Sequence, residues 1–189
     1  VVSCEAVAED EIVYLSTATG SGGNLPPKPI GLAGPTPLFL MDLPMLRYED
    51  DTLGMYYAFG FRDGSVTGAS MYRSPDELAW EVLGTGNDGP TFGWAATVLP
   101  NVTSPWVWDE TSKVQVALTQ RTLDSKTALE VLNWANVALL GNEIIQWRNA
   151  NVLASGLYEL SGLLRGRRGT ESAMASHATG ERFILLTND

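Results

Sequence analysis

The sequence predicts a mainly β protein, an antiparallel sandwich or an open barrel, with one or two short helices. Short apolar runs recur along the chain between clusters of Gly, Pro, Asn and Asp. Lys113–Leu118 alternates cleanly, putting Val114, Val116 and Leu118 on one face. Helical spacing shows in a single patch, where Ala128, Leu129 and Leu132 recur after Asp124 or Ser125, either of which supplies a cap for the free N–H groups.

Taken in order, Val1–Val7 and Ile12–Thr17 read as strands split by the acidic turn Glu9-Asp10-Glu11. Residues 20–37 are rich in Gly and Pro, which suits an extended connector and buries no core. This organisation predicts the end of a preceding β domain over 1–19, a linker over 20–37 and a β-rich domain over 38–189. Met55–Phe61 and Val66–Arg73 flank Arg62-Asp63-Gly64-Ser65, an Asp-Gly hairpin signal. Further strands are expected at Ala79–Leu83, Phe92–Leu99, Pro105–Trp108 and Lys113–Leu118. After the helix, Val137–Leu140 and Glu143–Arg148 form a second hairpin through Gly141-Asn142. Tyr158–Arg165 and Arg182–Thr187 are the last strands.

Composition narrows the function. With 189 residues the chain can bury a core without a metal or disulfide staple, and 44% hydrophobic against 18% charged residues places it among globular proteins. Its formal net charge of −10 opposes binding to a phosphate backbone or an anionic membrane surface, so no nucleic-acid partner is expected. One cysteine, Cys4, and one histidine, His177, exclude an intrachain disulfide and a closed transition-metal site. No cofactor is expected, and an oxygen-ligand calcium site stays open. No run reaches the roughly 20 apolar residues of a membrane helix. Val1-Val2-Ser3-Cys4-Glu5 is not a signal peptide, and the chain reads as a segment of a longer one.

The sharpest local feature is Leu163-Leu164-Arg165-Gly166-Arg167-Arg168-Gly169-Thr170-Glu171. One reading is an anion site, with glycine N–H groups and guanidiniums gripping phosphate or carboxylate. The other is a strand end and tight turn whose arginines pair with carboxylates of this chain or a neighbour. The second is the expectation: Arg165, Arg167, Arg168 and Glu171 form an ionic clasp, within the chain or between subunits. At least one guanidinium should meet Glu143, Glu159, Glu171 or Glu181. By alternation Arg165 shares a face with Glu159, so a neighbouring strand, Glu143–Arg148 or Arg182–Thr187, is the expected source of its partner.

Other motifs read as structural. Ser74-Pro75-Asp76-Glu77-Leu78-Ala79-Trp80 resembles a degenerate Asp-box, a hairpin turn with its Trp packed inward. Glu49-Asp50-Asp51 reads as a solvated turn, although paired carboxylates also suit glycoside hydrolysis or calcium. His177 reads as a hydrogen-bonded structural residue rather than a general base, and no Gly-x-Ser-x-Gly elbow is present. The tryptophans Trp80, Trp94, Trp106, Trp108, Trp134 and Trp147 suit a core or interface, or, if exposed and coplanar, a sugar-binding platform. No catalytic or metal-binding residue is assigned, and no enzyme is expected.

Three segments together carry a resemblance: Asn136 through Trp147, then Gly156-Leu157-Tyr158-Glu159-Leu160 with Leu163 through Glu171, then His177-Ala178-Thr179-Gly180-Glu181-Arg182-Phe183. They are similar to the large tail-tip proteins of gene transfer agents and related phages, the megatron or host-specificity family. Trp147 stands where that family often has Phe. The resemblance implies a structural domain of a baseplate hub at the virion tail tip. Its partners would be other copies of itself, as a trimer, other tail proteins, and a host receptor or glycan. A carbohydrate-binding module recognising host glycans is the alternative.

Overall fold

The computed structural model describes residues 2–7, 37–47, 56–59, 68–86 and 89–186. The expected strand 12–17, the acidic runs 9–11 and 49–51, residues 20–36 of the expected linker and the Asp-Gly turn 62–65 lie outside these residues. The described chain is mainly β and falls into two compact units.

In the first unit, β1 (Val2–Val7), β4 (Gly68–Arg73) and β5 (Glu81–Gly86) form an antiparallel sheet in the order β1-β4-β5. Elsewhere β2 (Leu38–Met41) and β3 (Tyr56–Phe59) form a two-stranded sheet. The expected hairpin between Met55–Phe61 and Val66–Arg73 is therefore not made. Both edges of β4 are taken, Ala69 facing Ala6 on one side and Gly86 on the other. An Asp-Gly signal reports a local turn and cannot name the strand's partner. Between β4 and β5, one Asp76 oxygen accepts from Leu78 N–H (3.0 Å), Ala79 N–H (3.1 Å) and the Ser74 hydroxyl (3.2 Å). Trp80, expected to pack inward from this turn, is exposed instead.

The second unit holds a closed antiparallel barrel. Its strands are β6 (Phe92–Ala95), β7 (Val114–Leu118), β8 (Val137–Leu140), β9 (Glu143–Ala154), β10 (Leu157–Leu164) and β11 (Arg182–Leu185). They close in the order β10-β7-β6-β11-β8-β9. Closure removes free edges, which an open barrel or sandwich would have left. Val114 and Val116 are fully buried, as their alternation predicts, alongside Ile145, Trp147, Leu160 and Phe183. The β8–β9 hairpin turns at Gly141-Asn142, with Leu140 paired to Glu143. Gly141 has φ +59, and the Glu181 carboxylate lies where a Cβ would be, so both turn and packing require glycine.

Two expectations fail locally. Residues 105–108 form a turn, and the chain rejoins the barrel through an isolated bridge between Asp109 and Leu163. The helix α1 (Ala128–Leu132) is capped by Thr127, not Asp124 or Ser125. Thr127 and Glu130 form a reciprocal capping box. Only Val131 of α1 is buried, while Leu129 and Leu132 face outward. Ser125 instead accepts the Ala150 N–H (2.9 Å), fastening this segment to β9.

Candidate functional site

The alternation of β10 slips by one residue at Gly162, which has φ +64. Tyr158 and Leu160 face the core, and so does Leu163. The slip overturns the expectation that Arg165 shares a face with Glu159. It sends Arg165 inward, while Glu159 takes Lys113 (2.9 Å).

Arg165 is the largest buried side chain after Trp147. Its Nε and Nη2 donate to the two Glu143 oxygens at 2.8 and 2.9 Å, a two-pronged pair with both side chains 0% exposed. Nη1 donates to the Pro100 carbonyl (2.8 Å) and lies 3.5 Å from Asp109 Oδ2. Gly166 N–H adds a bond to Glu143 Oε1 (2.6 Å). Gly166 has φ +56, and a Cβ there would come within 2.8 Å of Glu171 Cγ. The turn thus folds tightly enough for a backbone N–H and a guanidinium to share one carboxylate.

Glu143 accepts a further bond from His177 Nε2 (2.5 Å), while His177 Nδ1 meets Glu181 Oε1 (2.7 Å). Burial alone would raise the Glu143 pKa. The bonds from His177, Arg165 and Gly166, with the arginine's charge, outweigh it and hold the carboxyl below its usual range. Burial likewise favours neutral His177, but its bonds to Glu143 and Glu181 and their charges prevail and raise its pKa. A carboxylate oxygen faces each ring nitrogen, an arrangement that favours the imidazolium, in which both nitrogens donate.

The pH dependence follows from these directions. The folded state binds the His177 proton more tightly than the unfolded chain. Its contribution is complete below the ordinary imidazole range and is lost as pH rises through the raised folded value. Glu143 works oppositely: its contribution is present above the ordinary carboxyl range and lost as pH falls through the depressed folded value. The stability gap between wild type and His177→Gln should therefore be widest near about pH 6 and shrink toward about pH 9. A gap that widens with pH in urea titrations would contradict this.

The remaining arginines of the motif point elsewhere. Arg167 Nε donates to Gln146 Oε1 (2.9 Å), and Arg168 Nη2 donates to the Leu46 carbonyl (3.1 Å). Their guanidinium carbons lie 5.9 and 4.3 Å from the Trp134 ring centroid. Glu171, expected in the clasp, belongs to no ion pair among the described residues. Its carbonyl accepts the Met174 N–H, and its side chain packs beside Gly166. Thr170 Oγ1 accepts the Ile144 N–H (2.9 Å). Residues 166–181 are thus a strap pinned to β9 at Glu143, Ile144 and Gln146.

From the sequence, Asp109, Gln146 and Asn136 receive no role of their own, and Trp134 reads only as one of six tryptophans. Asp109 had a signal, since Thr111 and Ser112 follow it as in an Asx turn, and their N–H groups do bond its Oδ1. Gln146 Nε2 holds the Val131 and Ala135 carbonyls, and Asn136 Nδ2 holds those of Asp124 and Trp147. Neither role leaves a trace in spacing. Among the described residues no three His, Cys, Asp or Glu side chains are arranged to hold a metal. The two carboxylates at His177 lie on separate ring nitrogens and do not converge. No helix among the described residues is long and apolar enough to cross a membrane.

No curated protein matches the sequence significantly. The sequence model of the family described as Rcc01698-like, C-terminal matches residues 90–184, half of the chain. That span takes in every barrel strand except the last residue of β11, together with the whole charge network. The chain belongs to the Rcc01698-like, C-terminal family.

Proposed function

We propose that this chain is a structural domain of a tail-tip or baseplate hub protein, in a tailed phage or gene transfer agent. Its work is subunit packing and host attachment or DNA delivery within the particle, and it is not an enzyme. One observation carries the reading: the run by which the chain resembles tail-tip proteins is used to build the barrel. Arg165 and Glu143 are sealed at 0% exposure, and His177, the one histidine, has both nitrogens committed to carboxylates. A general base must reach its substrate's proton, and this imidazole reaches none. The reading also rests on the resemblance of the three segments between Asn136 and Phe183.

A glycan-binding module is the second reading, favoured by Trp106, which is 81% exposed. It is the weaker one, because Arg148 and Arg168 occupy the faces of Trp108 and Trp134. The test is location in the particle. Antibody to the barrel should label the tail tip of purified particles. Label on the head or tail tube, or particles that lack the polypeptide, would rule the hub reading out.

A further inference from the structure

We propose that Arg167 and Arg168, held together over the Trp134 ring, form a docking site for an acidic segment of a partner polypeptide. The proposal rests on the assembly reading only in taking the partner to be a protein.

Arg73, Lys113, Arg148 and Arg165 each meet a carboxylate of this chain, Glu81, Glu159, Glu110 and Glu143 respectively. Arg167 and Arg168 meet only neutral oxygens, those of Gln146 and Leu46. Among the described residues Arg182 likewise meets only neutral oxygens, those of Gly141, Leu40 and Asn142, but Arg167 and Arg168 differ from it in being adjacent and in sharing one aromatic ring. Each has five N–H donors and spends one on a hydrogen bond, which leaves most of both forks for a ligand.

The pair is also fixed in place. Gln146, which holds Arg167, is itself buried and anchored on two carbonyls. Arg168 sits in the left-handed region at φ 57 and ψ 32, and Trp134 has φ 76, conformations rare for non-glycine residues. Strain of this kind persists where the surroundings over-determine it. The ring face holds the Arg168 guanidinium at 4.3 Å and lies within cation–π reach of Arg167 at 5.9 Å, which restricts their rotamers before a ligand arrives.

Planar forked donors fit carboxylates or phosphates. A nucleic acid needs a longer track of cations than two residues, and the −10 charge of the chain opposes a polyanion at longer range. A short protein segment needs only two nearby carboxylates to meet both guanidiniums directly.

The test titrates the full chain with hexaglutamate peptide and, separately, with oligothymidylate of equal charge, watching backbone amides and indole N–H signals. Hexaglutamate should shift the signals of Arg167, Arg168, Gly169 and Trp134, and weaken as salt is raised. The Arg167→Gln/Arg168→Asn variant should bind at least about tenfold more weakly. Asparagine accepts the left-handed backbone at position 168, and unshifted amide signals in the barrel strands verify the fold. Unmoved signals, equal affinity in a folded variant, or oligothymidylate binding as tightly at these residues would each overturn the proposal. Particle labelling is unaffected by any of these outcomes, so the hub reading and the docking site fail separately.

Discussion

Arg165→Ala is expected to cost about 3–5 kcal/mol of folding stability at neutral pH, because it strands a buried charge. Glu143, with a side chain 0% exposed, loses both guanidinium bonds. The Pro100 carbonyl loses its side-chain donor, and Asp109 Oδ2 loses the cation 3.5 Å away. That oxygen is buried and has no hydrogen-bond partner among the described residues. Arg167→Gln and Arg168→Asn should cost less than about 1 kcal/mol each, since they leave no charge uncompensated. Urea unfolding followed at barrel amides measures all three, because two compact units need not unfold together. Similar small losses at the three positions would remove the distinction between an inward structural arginine and two outward ones.

Trp147→Ala is the second large effect, expected at about 3–5 kcal/mol from lost transfer energy and a residual cavity. The ring is 0% exposed and packs at 5.8 Å from Phe183 with a tilt of 50°. Its indole N–H donates to the Asp124 carbonyl (3.2 Å), which also accepts from Asn136 (2.9 Å). Trp147→Phe should therefore lose much less. It keeps an aromatic ring against Phe183, and Asp124 keeps its Asn136 donor. A Trp147→Phe loss as large as that of Trp147→Ala, in the same urea experiment, would show that the indole bond and not the packing dominates.

The strands were legible wherever local pattern and tertiary burial agree. Val114 and Val116 alternate because one face of β7 is core, and Gly141-Asn142 turns because Gly141 adopts positive φ. Failures occur where partners distant in sequence decide. Gly162 shifts the facing of β10 without any sign in its neighbours, so alternation put Arg165 on the face of Glu159, while the partner expected from the Glu143–Arg148 strand is Glu143 itself. The helix buries Val131 rather than Leu129 or Leu132, and Gln146 of β9 binds the Val131 carbonyl, a tertiary contact that helical spacing does not show. The short apolar run 105–108 forms a turn, and the chain pairs with β10 only at the next residue, through the bridge between Asp109 and Leu163. For the arginine motif, the residue types announced a charge pair, but Asp109 and Gln146 enter it from strands and loops that no spacing connects.

A double-mutant cycle on Arg165 and Glu143 tests the central claim, that the arginine motif is structural and acts through this buried pair. Arg165→Met and Glu143→Leu each leave a buried charge, whereas the double substitution removes both. The double variant should lose less than the sum of the singles, with a coupling energy of about 1–3 kcal/mol. Losses that add to within about 0.5 kcal/mol would mean that the two side chains do not depend on each other, and would contradict the account.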